Sequence, residues 1–291
     1  MLLQRPDLMG WPLPETRELK LNLLVAYPYM PRKMQDMLKA NIGHICFLLD
    51  SGASTGWKAG KVVQVADDWR FLDGLKFQPW RYFALDVIGN PSETMRNYEV
   101  MLKRGCKQVP IFTRGEDFSV LEHYYKTSDV VGLGGLVGTQ KNKAFMNGIM
   151  KHVGKRRVHW LGFTAIDFLK TYRPYMADSS TWLSGARFGA VKLYQGRGNE
   201  FLLSKSDFLT KVPKSTLDVI ASYGFDPLAF KLESSWRGGY SLNRTLCAYS
   251  IVRKSLDIEK HLGTKLFSAS TTTIELNLLL KGLHHESNRR S

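Results

Sequence analysis

Short apolar runs, rich in β-branched and aromatic residues, recur along this chain with stretches of helical period between them. That alternation is the signature of parallel βαβ units. Eight runs read as strands: residues 21–27, 44–49, 81–87, 108–113, 129–133, 158–163, 174–177 and 190–194. Amphipathic stretches lie between them. One is 92–104, with Ser92 as its expected N-cap; another is 142–153, which Gly154 ends as a C-cap. Eight strands joined mostly by helical crossovers predict an α/β fold, a (β/α)8 TIM barrel, and 291 residues suit a single barrel domain. Beyond Gly198 the pattern reads as helices only, over 204–209, 215–223, 241–262 and 274–283. The expectation is therefore a barrel core over 1–198, then the last barrel helix and a C-terminal helical extension over 199–291, with a frayed tail.

Charge narrows the partners. The chain holds 41 Lys and Arg against 26 Asp and Glu, a formal +15, which favours association with polyanions such as nucleic acid. The first twenty residues carry prolines and charges and no continuous apolar run, so neither a secretory signal nor a membrane span is expected. Cys46, Cys106 and Cys247 are odd in number and far apart, without CxxC spacing, which fits a reducing, cytoplasmic setting and no disulfide framework.

In a (β/α)8 barrel the loops after the strands share one mouth, where active sites sit. Strand two ends in Asp50-Ser51-Gly52, strand three delivers Asp86, and strand seven ends in Asp178-Ser179-Ser180. Three carboxylates are thus expected to converge, although each alone also suits a turn or a helix cap. Strand five runs into GLGGLVG (132–138), four glycines whose bare backbone admits a ligand closely. That loop lacks the GxxxxGK[ST] and GxGxxG phosphate spacings.

The segments LLDSGA (48–53), ALD (84–86), GLGGLVG (132–138), HWLGFT (159–164) and YMADSSTW (175–182) follow the order and approximate spacing of the motifs of tRNA-guanine transglycosylases. The chain resembles that family over about 44–190, and also its relatives that place 7-deazaguanines in DNA. The resemblance implies that Asp178 is a nucleophile forming a covalent glycosyl-enzyme and that Asp50 is the general acid/base. It further implies that Asp86 reads the guanine-like edge, that Ser51, Gly135 and Leu136 line the base pocket and that Leu161 packs on the base. The family's glutamine after strand four is Thr113 here, its stacking aromatic is Ser54, with Trp57 a substitute, and its glutamate after the glycine-rich segment falls at Thr139 or Gln140. Cys247, His261, His284 and His285 have no zinc-site spacing, so neither metal nor cofactor is expected.

A base within a duplex cannot reach a barrel mouth, so the nucleotide must be flipped out or presented in a single strand or loop. Lys58, Lys61, Arg114, Lys141, Lys143, Arg187 and Arg197 are expected around the mouth, with Lys58, Lys141, Lys143 and Arg187 gripping phosphates. Lys155, Arg156 and Arg157 precede strand six and belong to the opposite rim. The expected partners are a nucleic acid, DNA ahead of tRNA, a 7-deazaguanine base such as preQ0, and accessory modification proteins. Two other classes compete: a silent nucleic-acid-binding barrel, and a metabolic barrel for small phosphorylated ligands.

Overall fold

A computed structural model describes residues 19–53, 64–138, 142–210 and 212–290. The chain opens with β1 (Leu21–Ala26), α1 (Arg32–Asn41) and β2 (Ile45–Asp50), then α2 (Val65–Gly74), β3 (Arg81–Tyr82), α3 (Pro91–Lys103), β4 (Ile111–Thr113) and α4 (Phe118–Tyr125). It continues through β5 (Val130–Gly134), α5 (Lys143–Val153), β6 (Arg157–Trp160), α6 (Ile166–Tyr172) and β7 (Met176–Ser179). An excursion follows: α7 (Ser184–Arg187), β8 (Ala190–Gly196), β9 (Asn199–Ser204), α8 (Lys205–Leu209) and α9 (Lys214–Ser222). The chain ends with α10 (Leu242–Leu262), β10 (Lys265–Ser270) and α11 (Thr273–Arg290).

Eight strands form one curled sheet in the order β3-β2-β1-β10-β7-β6-β5-β4, and every pairing in it is parallel. Its two end strands meet at one isolated parallel bridge, Phe83 to Val109, where Val109 N–H donates to Tyr82 O and Ala84 N–H to Val109 O, each at 2.9 Å. The fold is thus an α/β half-barrel consistent with a TIM-like barrel.

Parallel strands covered on both faces need apolar residues on both, and the burial splits by alternation. Leu24, Cys46, Leu48, Phe83, Val109, Ile111, Val130, Met176 and Phe267 form one cluster on the concave face. Their neighbours Leu23, Phe47, Val131, Trp160, Ala177 and Leu266 belong to a second cluster shared with the helices. Phe267 stacks on Trp80 at 6.0 Å, and Phe83 lies 4.7 Å from the ring of His159, so the interior is filled by side chains.

Seven of the eight expected strands lie in this sheet; the run 190–194 does not. It pairs antiparallel with β9 through a turn in which Gly196, Arg197 and Gly198 all have positive φ, a hairpin geometry. The eighth parallel strand is β10, between β1 and β7, inside the region expected to be wholly helical. Its serines explain the difference. Ser268 and Ser270 are buried in the close packing under the last helices and give no apolar signature. Other boundaries also move: α3 is capped by Asn90 with Pro91 at its first turn, rather than by Ser92. The last helix runs through the expected tail to Arg290, with Glu286 fully buried between Arg253 and Arg289.

Because Phe267 seals the interior, Phe267→Ala is expected to cost about 3–5 kcal/mol of unfolding free energy, measured by urea denaturation. Phe188→Ala, at a side chain 87% exposed on the excursion, should stay within about 0.5 kcal/mol. Equal losses would place Phe267 outside the core.

Candidate active site

Strands β2 and β3 bring the first two carboxylates together. Asp50 is the last residue of β2 and shares the interior face with Cys46 and Leu48. Its Oδ2 accepts from Gly52 N–H at 3.2 Å, closing the turn. Gly52 is obligatory there: its φ is +79°, and a Cβ would lie 2.2 Å from the Pro28 ring. Ser51 is buried, and its hydroxyl reaches Asp86 Oδ1 at 3.5 Å while accepting from Ala53 N–H at 3.4 Å. Asp86 follows β3 instead of ending it. Burial raises its carboxyl above the ordinary range, and its own backbone and Ser51 offset this only in part.

Across β1 and β10 on the same face, Asp178 is the third residue of β7, in line with Met176. Its Oδ1 receives two contacts: His159 Nε2 at 2.9 Å and Gly162 N–H at 3.0 Å. His159 is fully buried on the interior face of β6. It had no role in the sequence reading, although a histidine alternating with buried apolar residues in HWLGF was the available signal.

Between these two sides, Thr113 ends β4, and its N–H donates to the Glu116 carboxylate, whose affinity for a proton burial raises. Glu116 is the second group the sequence reading passed over. Gly132 and Gly134 belong to β5 itself, and a Cβ on Gly132 would meet the Leu161 side chain at 2.9 Å. The missing side chain lets Leu161 lie over the strand. Gly135, at φ +74°, turns the chain beside Arg114, and Leu136 sends its side chain into the core, so the segment offers backbone to the interior.

Lys143 starts α5, Arg187 ends α7, and Arg114 follows β4; all three are exposed and follow strand C-terminal ends. Arg114 lies 4.7 Å over the ring of Phe145. Trp57, Lys58, Lys61, Ser54, Thr139, Gln140 and Lys141 lie outside the described residues. Arg197 departs from expectation: as the tip of the β8–β9 hairpin it lines a cavity with Lys170, Asp257 and His261, by the C-terminal end of α10 and away from the mouth. On the opposite rim Arg156 pairs with Glu122, and Arg157 with Asp129. No helix among the described residues is long and apolar enough to cross a membrane.

A carboxylate whose affinity for protons is raised by burial destabilises the fold when ionised. Asp86→Asn should therefore raise the thermal midpoint near neutral pH. The gain should vanish as pH falls below the ordinary carboxylate range, where Asp86 is protonated in both folded and unfolded chains. A lower midpoint at neutral pH would refute the desolvated charge.

Comparisons with protein-family models, with curated proteins and with solved structures find no match to this chain, so the residues and their geometry carry the functional reading.

Proposed function

We propose that this chain is a guanine transglycosylase that exchanges a guanine in DNA for a 7-deazaguanine such as preQ0 through a glycosyl-aspartate intermediate, on a closed (β/α)8 barrel. The observation that carries this is the placement of Asp50 and Asp178 on the interior face at the C-terminal ends of two strands, each held by its own local hydrogen bonds.

The strand registers support both closure and convergence. Followed from Asp50 through β1 and β10, the ladders lead to the row of Trp182. Followed the other way, through Phe83, Val109, β4, β5 and β6, they lead to the row of Pro174. The two ends differ by eight residues, the shear of a (β/α)8 barrel. Spread evenly, that is about one residue per strand, which puts Asp50 level with Ser179. Asp178 therefore stands within about one residue, roughly 3.3 Å, of the height of Asp50.

The chemistry follows that of a retaining glycosidase. An Asp178 oxygen forms a bond to C1′ of the target nucleoside as the bond from C1′ to the guanine nitrogen breaks, and Asp50 delivers a proton to the departing base. The incoming base then gives a proton to Asp50 and attacks C1′, releasing Asp178. Two inversions retain the configuration. A desolvated Asp86 beside Ser51 suits the N1–H and exocyclic amine donors of a guanine-like base, because a carboxylate without bulk water gains most from such donors. The bare backbone at Gly134 and Gly135 leaves room for the ring. Exposed Lys143 and Arg187 suit phosphates flanking a flipped nucleotide. DNA is favoured over tRNA because residues 195–291 hold one cysteine, Cys247, and no CxCxxC run like that of the tRNA enzymes.

Labelled guanine or preQ0 should enter DNA in preference to tRNA when incubated with the protein. Asp178→Asn should abolish exchange while leaving DNA affinity near normal, since an amide cannot form the glycosyl ester. Asp50→Asn should slow it by about 10²- to 10⁴-fold. Full activity in Asp178→Asn, or a trapped adduct on another residue, would overturn the mechanism.

Replacing Lys143 and Arg187 by Ala should weaken DNA binding and flatten its salt dependence, by roughly one unit of logarithmic slope for each phosphate that is no longer neutralised. Unchanged affinity and slope would remove both residues from the interface.

A further inference from the structure

We infer that His159 is a positioning residue that holds Asp178 in one orientation as a neutral imidazole protonated on Nε2, and so makes Oδ2 the oxygen that attacks. This deepens the proposed transglycosylase reading and rests on Asp178 being its nucleophile.

The geometry that carries the inference is local. His159 is fully buried on the interior face, with its ring 4.7 Å from Phe83 and 6.5 Å from Phe267. Nε2 is 2.9 Å from Asp178 Oδ1, and Nδ1 is buried with no hydrogen-bond partner among the described residues. Three protonation states compete. An imidazolium would bury an N–H at Nδ1, part of a charged ring, beside Phe83 and Phe267 with no acceptor among the described residues. The Nδ1–H tautomer would orphan the same donor and aim the Nε2 lone pair at a carboxylate oxygen. The Nε2–H tautomer makes a charge-assisted bond to Oδ1 and leaves only a lone pair unsatisfied. It is the state the surroundings select.

Gly162 completes the arrangement. At φ +64° its N–H donates to the same Oδ1 at 3.0 Å, so both donors converge on one oxygen and Oδ2 accepts from neither. In the first displacement the Oδ2 lone pair forms the bond to C1′ while the glycosidic electrons leave with the base. Oδ1 then becomes the ester carbonyl and keeps both hydrogen bonds. These polarise the ester toward the second displacement, in which the C1′–Oδ2 electrons return to the carboxylate. His159 touches neither base nor sugar in this scheme, and acts through Asp178.

Two measurements on the full chain test the assignment. Long-range ¹H–¹⁵N spectra of the ¹⁵N-histidine protein should show one ring with a protonated Nε2 and a bare Nδ1, assigned to His159 by its loss in His159→Gln. A protonated Nδ1, alone or with Nε2, would overturn the tautomer whether or not the protein exchanges bases. In exchange assays His159→Leu should lower kcat by about 10²-fold, the cost of misplacing a reacting atom by ~1 Å, with KM for DNA unchanged. His159→Gln, whose amide keeps a donor, should recover at least about tenfold of that loss; if the Leu variant does not fold, Gln against wild type and the spectra decide. Wild-type kcat in a folded Leu variant, with exchange still dependent on Asp178, would remove the positioning role and leave the transglycosylase standing. Absence of exchange in the wild type would sink that reading, while the spectra still judge His159.

Discussion

The constraint on which the rest of this structure depends is the two-residue period of parallel strands curled around a common interior. Each strand has both faces buried, so a polar side chain turned inward must find a partner inside the protein or stand at an end where solvent and ligands reach it. The interior cluster of Leu24, Leu48, Phe83, Ile111, Met176 and Phe267 fills the middle of the sheet and divides its two ends.

The two ends are treated differently. Toward the N-terminal ends of the strands, the ionised groups neutralise one another. Arg81 makes a two-point contact with Asp129 at 2.8 and 2.9 Å, Arg157 joins the same carboxylate, and Glu259 takes both Lys265 and the amide of Asn22. Toward the C-terminal ends, backbone and side-chain groups close on the carboxylates: Gly52 N–H on Asp50, Ser51 on Asp86, and His159 with Gly162 N–H on Asp178. Paired charges at one end serve stability. The raised proton affinity of Asp86 is the cost of holding a carboxylate out of water.

The excursion between β7 and α10 explains how a chain of this length both completes the sheet and carries extra surface. The β8–β9 hairpin, α8 and α9 are inserted before the helix that leads into β10, so the eighth strand arrives late, at Lys265. Apolar side chains such as Phe188 and Leu202 remain exposed on this insertion, whereas Val191 and Leu193 turn inward and are fully buried.

What the sequence determined by itself is whatever local chemistry encodes. Seven strand positions followed from apolar runs, the limits of α5 from Asn142 and Gly154, and the carboxylates Asp50 and Asp178 from their places after such runs. Tertiary structure decided what depends on partners distant in the chain. The run 190–194 has a strand's composition, yet only its neighbours make it one arm of an antiparallel hairpin. Lys265–Ser270 lacks that composition, and becomes a strand because β1 and β7 leave one gap and small serines fit beneath the helices covering it. His159 reads as a polar interruption of an apolar run until β7 sets Asp178 beside it. Periodicity reports which face of a segment is buried; it carries no information about which segment supplies the other side, and pairing, shear and the partners of buried polar groups are properties of that other side.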